Sequence, residues 1–146
     1  MDIVIKQPES PEEFKQYYAL RYRILRAPWG EPEGSEVDDI EDQCFHIMAV
    51  DNQKLVAVGR LQVNTADEAQ IRYMAVEKEY EGNGIGRMLV NALEQEAKNK
   101  KISTVILDAR EPAVCFYQKL GYSIEKKSYV LFDEIQHFRM IKQLTA

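Results

Sequence analysis

The chain has 146 residues, is 45% hydrophobic, and carries 19 Lys and Arg against 24 Asp and Glu, for a formal net charge of −5. A chain of this size and apolar content can bury a core without staples, which excludes a disordered polymer. Its acidity excludes a general binder of nucleic-acid backbones, which needs a basic footprint.

Asp2 to Lys6 is a short β-type run. Ser10-Pro11-Glu12-Glu13 is a helix start, with Ser10 as cap, Pro11 in the first turn and Glu13 closing a capping box. Phe14, Tyr17, Tyr18, Arg21, Ile24 and Leu25 give that helix one apolar-aromatic face, ending near Arg26. Phe45 to Val50 and Leu55 to Asn64 read as strands around an Asp51-Asn52-Gln53 turn, and Ala69 to Val76 as a third strand. Gly84 to Lys101 is the strongest helix, with Ile85, Leu89, Leu93 and Ala97 every fourth residue. Thr104 to Leu107 is a buried strand, and Glu111 to Leu120 a helix stopped by Gly121. Tyr122 to Phe132 and Gln136 to Gln143 are closing strands around Asp133-Glu134. No repeat or long linker divides the chain, so one domain over 1–146 is expected, of the α/β (α+β) class.

No apolar run reaches the roughly 18 residues of a spanning helix, and the N-terminus shows no export signal. Cys44 and Cys115 lie 71 positions apart without CxxC spacing, which suits reduced thiols. The expectation is a cytoplasmic protein without metal, nucleic-acid or membrane partners.

The negative charge is local. Ala27 to Gln43 holds seven acids and no Lys or Arg, whereas the rest of the chain has 19 basic residues against 17 acidic ones. Such a segment is either a solvated loop kept open by self-repulsion or a field that attracts a cationic ligand.

Glu81-Gly82-Asn83-Gly84-Ile85-Gly86-Arg87 joins a strand to the strongest helix, where free amides of a first turn make an anion site. Gly86 is followed by Arg87 and Met88 instead of Lys and Ser/Thr, so a P-loop is excluded. A dinucleotide fingerprint from Gly82 needs glycine at position 87, which is Arg. A third reading, the pyrophosphate loop of an acyl-CoA transferase, suits Gly-x-Gly-x-Gly opening a helix, and the loop taken alone leaves an ordinary glycine-rich cap open.

About thirty residues on comes Ala113-Val114-Cys115-Phe116-Tyr117-Gln118-Lys119-Leu120-Gly121-Tyr122. With Met74-Ala75-Val76 and the glycine loop, this segment resembles the GNAT superfamily of acetyl-CoA-dependent N-acetyltransferases over Ile71 to Tyr122. In that family V-x-x-x-x-R/Q-G-x-G-x-G/A precedes A-x-x-F/L-Y-x-K-x-G-F/Y. The resemblance implies the GNAT acyl-CoA N-acyltransferase fold: a mixed, mostly antiparallel sheet with a splayed strand pair and helices on both faces. It implies transfer of acetyl from acetyl-CoA to a primary amine in a ternary complex. Met74, Ala75 and Val76 would hold the pantetheine arm, Gly82, Asn83, Gly84, Ile85, Gly86 and Arg87 the pyrophosphate, and Tyr117 would protonate the leaving thiolate. Two positions depart from the pattern. Glu81 stands where the family has Arg or Gln, and Arg110 stands where it has Asn; both are counted with the cofactor residues. Glu81 keeps open a CoA-binding sensor or interaction module without turnover. Family members are often dimers, so a homodimer is a further expectation.

In this fold the acidic segment borders the acceptor mouth, which points to a cationic amine, with Asp38, Asp39 and His46 as substrate residues. A base for the amine would come from Glu68, Asp38, Asp39, His46 or His137. Gln70 stands where some relatives carry a catalytic Glu. Cys115, in an apolar helical stretch, reads as core, which disfavours an acyl-thiol route.

Overall fold

The structure, a computed structural model, describes residues 1–144, so the last two positions of the domain expected over 1–146 lie outside the described residues. Its strands are β1 (Ile3–Lys6), β2 (Phe45–Asp51), β3 (Lys54–Val63), β4 (Glu68–Val76), β5 (Thr104–Arg110), β6 (Ser123–Leu131) and β7 (Ile135–Gln143). The α-helices are α1 (Pro11–Leu25), α2 (Ile85–Asn99) and α3 (Val114–Lys119). The strands form one sheet in the order β1-β2-β3-β4-β5-β7-β6, antiparallel except for the parallel pair β4–β5.

The helices cover both faces. Helix α1 starts with the expected capping box: Glu13 N donates to Ser10 Oγ at 3.0 Å, and Ser10 N to Glu13 Oε1 at 3.3 Å. It lays Tyr17, Leu20 and Leu25 against Met48, Val58 and Ala75. Helix α2 places Ile85, Leu89, Val90, Leu93 and Ala97 on the opposite face, with Ile47, Leu61, Ile71 and Val105. The β2–β3 hairpin turns through Asn52 and Gln53, both at positive φ, as an expected tight turn requires.

Two boundaries differ from the sequence reading. Strand β5 runs on to Arg110 because Asp108, Ala109 and Arg110 pair with Arg139, Phe138 and His137 of β7. The segment Glu111–Ala113 is a 3₁₀ turn, and the α-helix begins only at Val114.

A bulge in β4 shapes the centre of the molecule. Val58 pairs with Ala75 and Arg60 with Arg72, so Tyr73 and Met74 together face the single residue Gly59. Tyr73 takes φ 57°, a left-handed conformation unusual for a residue with a side chain. The extra residue shifts the alternation of the strand. Ala69 and Ile71 face α2 before the bulge, and Met74 and Val76 face it afterwards, while Tyr73 and Ala75 turn to α1. Gly59 makes room for this crossing, since a Cβ there would lie 2.6 Å from Met74 Sδ.

Candidate active site

Strands β4 and β5 pair only from Glu68–Thr104 to Ile71–Leu107 and then separate, while β5 stays with β7. From Arg72 to Val76 the edge of β4 that faces β5 has no ladder partner, which leaves backbone donors and acceptors for a ligand. The cavity at this parting has a volume of about 140 Å³. Arg72, Tyr73 and Met74 line it from β4, Asp108 and Arg110 from β5, and Tyr117 from α3. Leu25 and Arg26 at the end of α1, together with Tyr129 and His137, close its other side.

Helix α2 opens on bare backbone. Its cap, Gly84, is left-handed at φ 80° and offers no side-chain hydrogen bond, and Gly82 also has φ 80°. A Cβ on either glycine would meet nothing within 4 Å. The first intrahelical bond is Met88 N to Gly84 O at 3.1 Å, and the amides of Gly82 through Arg87 find no backbone acceptor among the described residues. Asn83 turns its side-chain amide back onto the carbonyls of Tyr80 and Glu81, which steadies the loop. Row upon row of free N–H groups at a helix start favours an anion, and a pyrophosphate fits that donor set. Glu81 and Arg87 are both exposed. Gly86 has another duty: a Cβ there would stand 3.0 Å from the Phe116 ring. Phe116 meets Tyr117 edge to face at 4.9 Å between ring centroids, so it links the loop to the cavity.

Tyr117 is 7% exposed and lines the cavity, and its hydroxyl has no hydrogen-bond partner among the described residues. Other buried tyrosines are satisfied. Tyr122 donates to Glu94 Oε2 at 2.8 Å, and the Tyr17 hydroxyl lies 2.9 Å from the Gly59 carbonyl and 2.8 Å from His46 Nδ1. A buried phenol left free at a cavity wall is available to a ligand. Burial pushes the Tyr117 phenol well above its usual range, so it holds its proton at neutral pH.

His137 sits opposite Arg110 in the β5–β7 ladder and stacks on Tyr129 at 4.3 Å. Its Nδ1 lies 3.0 Å from the Ile135 carbonyl. A carbonyl only accepts, so Nδ1 carries the proton and Nε2 has the lone pair. Burial lowers the imidazole pKa, the Ile135 bond raises it less, and the Arg110 charge lowers it again.

The other sequence candidates lie elsewhere. Both oxygens of Asp38 are held by Arg60, at 2.8 and 2.9 Å, and this bond holds its carboxyl below the usual carboxylate range. Glu41 Oε2 takes Arg21 at 2.7 Å and Arg60 at 2.9 Å, and both arginines are wholly buried. His46 is committed at both nitrogens, with Nε2 donating to the Glu41 carbonyl at 2.7 Å and Nδ1 facing Tyr17. Asp39 is exposed. The acidic stretch is thus strapped to the body by two buried arginines, in place of the self-repelling loop the sequence suggested, and none of its seven acids lines the cavity. Glu68 accepts from Asn64 at 2.9 Å and does not line the cavity. Gln70 lines it and reaches Asp108 at 3.4 Å. Cys115 is exposed, not core as its apolar neighbours implied, and does not line the cavity. Sequence reasoning missed Arg26, Tyr73 and Tyr129, which reach the cavity from the end of α1, from the β4 bulge and from β6.

No helix among the described residues is long and apolar enough to cross a membrane. The family model for the acetyltransferase (GNAT) family matches residues 13–122. The Bacillus subtilis protein YjcF, an uncharacterized N-acetyltransferase, is 30% identical over 134 residues, covering 92% of this chain and 95% of that protein. A crystal structure from Lactobacillus plantarum superposes with a TM-score of 0.85 at 24% identity, over 99% of this chain and 100% of that one. An aminoglycoside 6'-N-acetyltransferase complexed with coenzyme A gives a TM-score of 0.80 at 20% identity, over 100% and 98% of the two chains. The splayed β4–β5 pair, the uncapped glycine loop and a family match across most of the sequence lead to one assignment: the chain belongs to the GNAT acetyltransferase family.

Proposed function

We propose that this protein transfers the acetyl group of acetyl-CoA to a primary amine of a small molecule or peptide, directly and with both bound, in the cytoplasm. The observation that carries this reading is the unpartnered Tyr117 hydroxyl in the cavity where β4 and β5 part. The coenzyme A complex of the aminoglycoside acetyltransferase, on the same fold, supports the cofactor.

The residues divide the work by chemistry. Acetyl-CoA supplies an acetyl group activated as a thioester. The amides of Gly82 through Arg87 would hold its pyrophosphate, and the free edge of β4 from Arg72 to Val76 would align the pantetheine arm and polarise the thioester carbonyl. Tyr117 carries the proton that the departing sulfur needs. The amine must lose a proton as it attacks, and His137 Nε2 is the free base at the cavity wall, acting directly or through one water. Alignment in the cavity supplies much of the remaining acceleration.

Thiol release from acetyl-CoA with a panel of amines tests this reading. Wild type should turn over, and Tyr117→Phe should bind acetyl-CoA but release thiol far more slowly. Binding of acetyl-CoA without release from any amine would establish the sensor reading instead.

A further inference from the structure

The cavity described above is cationic, and its charges are unanswered. Arg26 and Arg110 line it, and neither has a carboxylate within 4.0 Å among the described residues. Arg26 is positioned by two neutral groups: its Nε donates to the Ser35 carbonyl at 3.1 Å and its Nη1 to the Leu25 carbonyl at 3.0 Å. The Arg110 guanidinium lies over the Trp29 ring, 4.7 Å from its centroid, with no hydrogen-bond partner among the described residues. A third arginine, Arg72, reaches only Asp38, at 3.6 Å, which Arg60 already holds with both oxygens. The one carboxylate lining the cavity, Asp108, is bound by Arg139 at 2.9 and 3.1 Å.

Half-buried guanidinium groups brought together without counter-charges are costly to the free protein, and a bound anion removes the cost. Their planar forks suit the two oxygens of a carboxylate or phosphate. From this geometry we infer that the acceptor is an amine that also carries an anionic oxygen group, held by Arg110 and Arg26 while the amine faces Tyr117 and His137. The inference rests on the acetyl-transfer reading and names the substrate class for the same site. It reverses the cationic acceptor expected from the acidic stretch, because that stretch spends Asp38 and Glu41 on Arg60 and Arg21 and sends no acid to the cavity.

The test compares amines matched for length and differing in charge: γ-aminobutyrate against butylamine and putrescine, and phosphoethanolamine against ethanolamine. Thiol release and binding calorimetry on CoA-loaded protein are measured for wild type, Arg110→Gln and Arg26→Gln, with melting curves to confirm folding. At least one anionic amine should exceed its uncharged partner by roughly 10- to 100-fold in kcat/KM, the scale of a charge-assisted hydrogen bond. That ratio should fall toward unity in both variants, and the better pair identifies the anion as carboxylate or phosphate. Preference for butylamine or putrescine, or ratios that both variants preserve, overturns the anionic acceptor and leaves acetyl transfer standing. Arg110-dependent binding of an anionic amine without thiol release keeps the anion site and overturns acetyl transfer. Neither release nor such binding overturns both.

Discussion

The molecule contains the same four side chains twice. Tyr17, His46, Arg21 and Arg60 meet between α1 and the sheet, and Tyr117, His137, Arg26 and Arg110 meet where β4 and β5 part. In the first group every side chain has a partner: the arginines Glu41 and Asp38, the histidine Glu41 and Tyr17, and the tyrosine Arg21, His46 and Gly59, although the Nε atoms of both arginines and Glu41 Oε1 are buried without one. In the second group Tyr117 and Arg110 have no hydrogen-bond partner among the described residues, Arg26 donates only to carbonyls and lies over the Tyr73 and Phe132 rings, and His137 keeps one nitrogen free. Residue type does not separate a structural cluster from a site; the counter-charges do, since Glu41 and Asp38 answer Arg21 and Arg60 and no carboxylate among the described residues answers Arg26 or Arg110. The first group closes an acidic strap onto the body, and the second waits for partners of its own.

That contrast is open to attack from both sides. The largest expected effect belongs to Tyr117→Phe, with thiol release reduced roughly 10²- to 10⁴-fold, the range for removing a positioned acid, and with the melting temperature held. Tyr17→Phe should do the reverse, lowering stability by about 1–3 kcal/mol as buried partners are left unmet. Arg60→Ala breaks a buried ion pair and should cost about 3–5 kcal/mol in denaturant unfolding, whereas Arg110→Gln removes an unanswered charge and should leave stability unchanged or raise it by up to about 1 kcal/mol. Equal losses for the two arginines would erase the distinction.

His137→Gln should lower kcat by roughly a hundredfold, the low end for a general base. The folded pKa of His137 lies below the usual 6.5, so the active neutral form dominates at pH 7. In wild type kcat/KM should therefore fall as pH drops through that lowered value, and the variant should lose this limb. His46→Gln should keep it, since His46 is engaged at both nitrogens. The smallest effect is expected at Glu81→Arg, which replaces an exposed carboxylate beside the loop amides. Calorimetry should show acetyl-CoA binding a few-fold tighter, matching a helix-end charge effect of about 0.3–1 kcal/mol.

The sequence revealed one of these groups better than the other. The capping box at Ser10, the period of α2, the glycine loop and Tyr117 were legible because each depends on residues close in the chain. The fate of the acidic stretch was not. Its partners Arg21 and Arg60 lie in a helix and in an apolar strand, and their burial follows from tertiary packing. The bulge at Tyr73 and Met74 hid for a related reason: Ala69 to Val76 reads as one strand, and the phase shift appears only opposite Gly59. His137 resembled any strand histidine until the Ile135 carbonyl fixed its proton. Strand β5 looked finished at Leu107 because Asp108 and Arg110 are polar, yet the ladder with β7 and the Asp108–Arg139 bridge carry it three residues further.

The central claim is that the open group and the glycine loop form the ligand site and the closed group does not. An amide NMR titration with acetyl-CoA tests it most directly. Shifts should be concentrated at Gly82 through Arg87, at Arg72 through Val76 and around Tyr117, with Asp38, Glu41 and His46 unmoved. Shifts centred on Asp38, Glu41 and His46, or an unresponsive glycine loop at saturating ligand, would contradict it.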